Sequence, residues 1–146
     1  MKTRMAFALA LVLSLLAAAP AFADTPEEIL RTAVQLYQNA DYDLAADQFA
    51  KFMAQYPKDA HAPDAQYGLA ESDFAKGSVK DALAAYDALI ARFPGSAKAP
   101  DARLRRGDCQ YLLKDYLKAA EAYKAFLAAY PDKGSRADAL GLTANP

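Results

Sequence analysis

The chain is poor in the residues that carry chemistry. Its 146 residues hold one cysteine, Cys109, and one histidine, His61. A lone cysteine closes no internal disulfide, so a packed core must supply the stability even where disulfides persist. One histidine and one cysteine make no zinc site without several converging carboxylates, and no spacing suggests such a set. Nucleophilic catalysis by a Ser/His/Asp set has only the single histidine to draw on. The six glycines never fall in a Gly-rich loop leading into a helix, which excludes a phosphate cradle. Excess basic charge is missing as well. The net charge is −1, and a weakly acidic chain leaves no electrostatic footprint for nucleic acid or an anionic membrane. The expectation is a non-enzyme with no catalytic residue, no cofactor and no metal.

Long apolar runs are also scarce, with one exception at the N-terminus. Met1-Lys2-Thr3-Arg4 is basic, Met5 to Ala18 is apolar except Ser14, and Ala21-Phe22-Ala23 precedes Asp24. This is the three-part layout of a secretory signal peptide, residues 1–23, cleaved after Ala23. An uncut membrane anchor is the alternative, but the apolar run is shorter than the ~20 residues a spanning helix needs. Cleavage removes Lys2 and Arg4 but no acid, taking the net charge from −1 to −3. Asp24, where a lipoprotein needs cysteine, argues against a lipid anchor. The mature protein, residues 24–146, is therefore expected to be soluble in the periplasm, with no membrane insertion once the signal is removed.

What is present is a repeat. Pro26, Pro63 and Pro100 stand 37 residues apart, as do Pro57, Pro94 and Pro131. The same shift superposes Phe49, Tyr86 and Tyr123. It also superposes Ala45, Ala82 and Ala119, and Ala33, Ala70 and Gly107. A fixed period in this range signals stacked structural repeats. Here they span about 26–62, 63–99 and 100–134. Each reads as two helices. The first opens at its proline, followed by acids (Glu28, Asp64, Asp101) where the helix dipole favours them. Its apolar or small residues recur at spacings of three and four, as in Leu30, Ala33, Tyr37 and in Tyr67, Ala70, Phe74. The second starts at Asp41, Ser78 or Asp115, and Ser78 with Asp81 has capping-box spacing. Its apolar stripe runs Tyr42, Ala45, Ala46, Phe49, Phe52, Met53, and recurs from Val79 and from Tyr116. Proline after Tyr56, Phe93 or Tyr130 ends it. The fold class is all-α: a solenoid of three helical hairpins. Residues 135–143 are expected to form a short capping helix, laying Ala139, Leu140 and Leu142 against Tyr116, Ala120 and Tyr123.

With the second proline as anchor, the small-small-aromatic sets Ala33/Ala45/Phe49, Ala70/Ala82/Tyr86 and Gly107/Ala119/Tyr123 resemble the tetratricopeptide repeat (TPR) signature. The period is three longer than that family's usual 34. The longer loop and the Pro-Asp-Ala start resemble bacterial envelope members. These are the Tol-Pal-associated periplasmic coordinator of cell division and the TPR lipoprotein of the outer-membrane β-barrel assembly machine. Missing are a lipobox cysteine and a coiled coil before the repeats. The resemblance implies a concave groove along the first helices that binds an envelope protein or peptide. Its implied lining is Val34, Tyr37 and Gln38, then Tyr67, Glu71 and Phe74, then Asp108, Tyr111 and Leu112. Of these, the polar Gln38, Glu71 and Asp108 are not expected in the core and are the better candidates for contact. His61 aligns with Lys98 and Ser135 as loop variation, and Cys109 with Gln35 and Ser72 as a small filler. A second reading is an oligomerising adaptor or assembly accessory that self-associates and has no peptide groove of its own.

Overall fold

The computed structural model describes residues 24–133, so the expected signal peptide and capping helix lie outside the described residues. Among those residues six α-helices follow one another: α1 (Pro26–Gln38), α2 (Tyr42–Gln55), α3 (Ala62–Ala75), α4 (Val79–Arg92), α5 (Ala99–Leu112) and α6 (Tyr116–Ala129). A 3₁₀ turn, Pro131–Lys133, follows α6. Each helix packs mainly on its neighbours in sequence, which makes three hairpins stacked in a row.

Backbone chemistry explains the helix ends. Thr25 caps α1 through a capping box: its Oγ1 accepts from Glu28 N–H at 3.2 Å, and its own N–H donates to Glu28 Oε2 at 2.9 Å. Pro26 opens α1, but α3 and α5 start one residue before theirs, at Ala62 and Ala99. The Ser78 capping box is not made. Neither Ser78 nor Asp41 caps through its side chain, whereas Asp115 accepts from Lys118 N–H. Every hairpin turns through a left-handed residue at one register: Ala40 (φ 63°), Gly77 (φ 85°) and Lys114 (φ 65°). Beside each, a six-residue bond closes the helix end: Asp41 N–H to Leu36 C=O, Ser78 to Asp73, and Asp115 to Gln110.

The core follows the small-residue ladder. Ala33, Ala45, Ala70 and Ala82 are fully buried at the helix crossings, so the backbones approach closely. Phe49, Phe52, Tyr86, Leu89, Tyr123 and Phe126 fill the space between hairpins. Ala62, Ala65, Ala99 and Ala102, around the ladder prolines, are also completely buried. In α1 the buried position is Ile29, with Leu30 only partly covered. In α3 the matching position is Gln66, whose Nε2 donates to Ala85 C=O at 3.1 Å. The expected stripe on α6 is bare at its start: Tyr116 is 56% exposed and Ala120 lies open.

Candidate partner-binding groove

The first helices, α1, α3 and α5, carry the nine expected lining residues. Val34, Gln38, Tyr111 and Leu112 are exposed, and Tyr37, Tyr67, Glu71, Phe74 and Asp108 are half-buried. Leu104, which the spacing places beside them, is core.

Glu71 and Asp108 are not free. Tyr86 Oη donates to Glu71 Oε1 at 2.5 Å, and Tyr123 Oη donates to Asp108 Oδ1 at 2.8 Å. Each pair joins residues 15 apart, a first helix to its own second helix. Arg105 ties the two pairs together. Its Nη2 donates to Glu71 Oε2 at 3.3 Å and its Nη1 to Asp108 Oδ2 at 3.4 Å. Its Nε lies 3.0 Å from Glu71 Oε1, off the line of the N–H. The guanidinium also sits over the Phe74 ring, 5.1 Å from its centroid. Two carboxylates thus share one cation, and two phenols supply the remaining donors. Glu71 and Asp108 are outside the core, as expected, but a polar group can be half-buried when its partners come from neighbouring helices. Gln38 is exposed and takes no part in this network.

Burial and these bonds set the protonation states. Tyr86 and Tyr123 are held far above an ordinary phenol, first by burial and then by donation to a carboxylate. Tyr67 is pushed up to about 12 by burial and the nearby Glu71. Burial alone would lower Arg105, but its neighbours, Glu71 foremost and Asp108 among them, together outweigh it and the guanidinium is held above its usual value. The phenols stay protonated and act as donors, with no base or nucleophile among them. Cys109 is completely buried and its thiol is pushed up to about 12, chiefly by burial, which makes it unreactive. His61 lies exposed before α3, with Nδ1 3.6 Å from Asp64.

Between α1 and α3 a pocket of about 210 Å³ opens, lined by Val34, Tyr37, Phe49, Tyr67, Gly68 and Glu71. Gly68 makes it possible. A Cβ there would meet the Phe49 ring at 2.4 Å, so only glycine lets the ring lie against α3. Within the third hairpin, a Cβ on Gly107 would likewise meet the Tyr123 ring, at 2.5 Å. The residues behind these contacts were open to inspection: an acid in the first helix with a tyrosine 15 residues on. Reading them as a pair needs the hairpin geometry.

Six helices, the left-handed turns and the small-residue crossings define a tetratricopeptide repeat protein. The tetratricopeptide repeat profile matches residues 67–133. A second profile, YfiO, described as outer membrane lipoprotein, matches residues 22–98, and the chain belongs to that family. Among solved structures it is similar to the TPR2AB domain of yeast Sti1 in complex with pHSP90. That match has a TM-score of 0.64 and 19% identity, over 80% of this chain and 43% of that one. The chain therefore spans less than half the length of that structure. A second match is TTC0263, a thermophilic TPR protein of Thermus thermophilus. Its TM-score is 0.43 and its identity 24%, over 71% of this chain and 74% of that one. No curated protein matches the chain. Fold and family together mark a protein-interaction scaffold.

Proposed function

We propose that the protein works in the periplasm as a scaffold whose first-helix face binds a segment of an envelope protein. Maintenance of the outer membrane or coordination of cell division through the Tol-Pal system is the setting. The observation that carries this reading is the hollow between α1 and α3, where Val34 stands 44% exposed above a floor formed by Phe49. An apolar hollow of this size on a scaffold of rigid helices suits one anchoring side chain. Family membership supports an envelope setting, and Sti1 supports the mode of binding by analogy of fold.

Photo-crosslinking tests it. A benzophenone side chain at position 34 should capture an envelope protein in living cells, and one at Lys124, exposed on α6, should not. Equal capture from both positions would remove the case for the groove.

One observation favours the adaptor reading as well. Tyr111, Leu112, Leu113, Tyr116 and Leu117 are all exposed where the third hairpin turns, Leu117 at 81%. Clustered exposed apolar residues mark contact surfaces. Sedimentation of the mature protein, with Leu117→Glu as control, tests self-association. A concentration-dependent dimer abolished by Leu117→Glu supports it, and a monomer at all concentrations removes it.

A further inference from the structure

The junction of the first two hairpins and the junction of the last two are built from matching positions, one repeat apart. One is filled and the other hollow. Val34, Tyr37, Phe49, Tyr67, Gly68 and Glu71 line the hollow. Advanced by 37, they become Glu71, Phe74, Tyr86, Leu104, Arg105 and Asp108, the residues around the Arg105 guanidinium. The empty site therefore lies where, one repeat later, the protein inserts a side chain of its own. A chain that fills one copy of a site and leaves the next open shows the size of the missing piece, one long side chain lying along an aromatic ring.

The chemistry of that piece follows from what differs. Arg105 has become Gly68, which removes the occupant. Glu71 has become Val34, and Tyr86 has become Phe49. The carboxylate that held the cation and the phenol that held the carboxylate are thus lost together. Leu104 has become Tyr67, which adds an aromatic wall. Only Glu71 remains as a charge at the rim, and it already accepts from Tyr86 and Arg105. A cation in the hollow would face Arg105 across that shared carboxylate and lose its water with little return. An anion would face Glu71. We propose that the hollow is a subsite for one large uncharged apolar side chain, of the phenylalanine or leucine class, presented by a partner polypeptide. This rests on reading the first-helix face as a binding groove.

The test uses the isotope-labelled mature protein and capped Gly-Gly-X-Gly-Gly peptides with X as Phe, Leu or Arg, followed by NMR. The Phe and Leu peptides should shift the Val34 methyl and Gly68 amide signals saturably, with the Arg peptide roughly tenfold weaker or worse. Val34→Glu restores the acid of the filled site at an exposed position, so folding is kept, and it should reverse that order. Three results overturn the proposal: Arg binding wild type as well as Phe, none of the peptides moving these signals, or Val34→Glu leaving the order unchanged. Shifts of the same signals on concentrating the protein alone would name a second copy as occupant and also overturn it. Crosslinking from position 34 without any peptide response would sink the subsite and spare the groove. A peptide response without crosslinking would do the reverse.

Discussion

The two junctions between hairpins solve one packing problem with different chemistry. Between the second and third hairpins, Arg105 reaches back from α5 to Glu71 on α3, and both carboxylates of the cluster hold a buried phenol. Between the first and second, Gly68 stands at the Arg105 position, and Phe49 and Val34 line the hollow where Tyr86 and Glu71 stand one repeat later. Arg31, the counterpart of Arg105 in α1, is exposed, because among the described residues no hairpin precedes it. A repeat register thus fixes where side chains meet and leaves their chemistry free to differ. The charged junction fastens two hairpins together; the apolar one leaves room for a guest.

The comparison can be broken at several points. The largest effect should come from Tyr86→Ala, which empties a completely buried site and strips Glu71 of a donor. A loss of roughly 3–5 kcal/mol is expected in denaturant unfolding. If the midpoint barely moves, the register assigned to the stack is wrong. Arg105→Ala leaves Glu71 and Asp108 without their common cation. With its side chain about a quarter exposed, the cost should be about 2 kcal/mol. Arg31→Ala, at the matching exposed position, should stay within about 0.5 kcal/mol. Similar costs for the two arginines would erase the distinction between junctions. Tyr86→Phe and Tyr123→Phe each impose the first hairpin's pattern on a later one, and each should cost about 1 kcal/mol. A double cycle of Tyr86→Phe with Glu71→Gln should show coupling; strict additivity would mean that the hydroxyl does nothing for stability.

The smallest effect concerns Cys109, buried where Gln35 of the first hairpin is exposed. Its folded pKa of about 12 lies above the ordinary thiol value of 9.0. The buried thiol therefore contributes stability that is intact below pH 9 and is lost as pH rises toward 12. At pH 8.5 iodoacetamide should label Cys109 only as fast as the chain unfolds, while Gln35→Cys should label at once. Rapid labelling of native Cys109 would contradict its burial.

Much of the fold was legible because it rests on periodic cues. Prolines, small residues and aromatics recur at one spacing, and the helix ends fall within a residue or two of where those cues put them. Local chemistry was read less well. Thr25 with Glu28 forms a capping box where Ser78 with Asp81 does not: spacing permits a cap but does not impose one. Gln66 is buried one residue before Tyr67, where the apolar stripe was placed, because Ala85 offers a carbonyl within reach. The lining of the first-helix face came from resemblance alone. That face could be drawn without foreseeing that Glu71 and Asp108 are held internally. Apart from Arg105 to Asp108 within α5, those bonds join residues 15 apart or on different hairpins, and only the helix crossings bring them into range.

The three left-handed hairpin turns have an engineering consequence. Gly77 adopts its positive φ at no steric cost, but Ala40 and Lys114 carry a Cβ into a conformation that penalises it. Two of the three corners are therefore sprung, and the neighbouring backbone bonds hold them closed. Glycine at either place should relax the corner and gain about 1 kcal/mol without touching either junction. The protein thus keeps an untapped reserve of thermostability in two of its three corners.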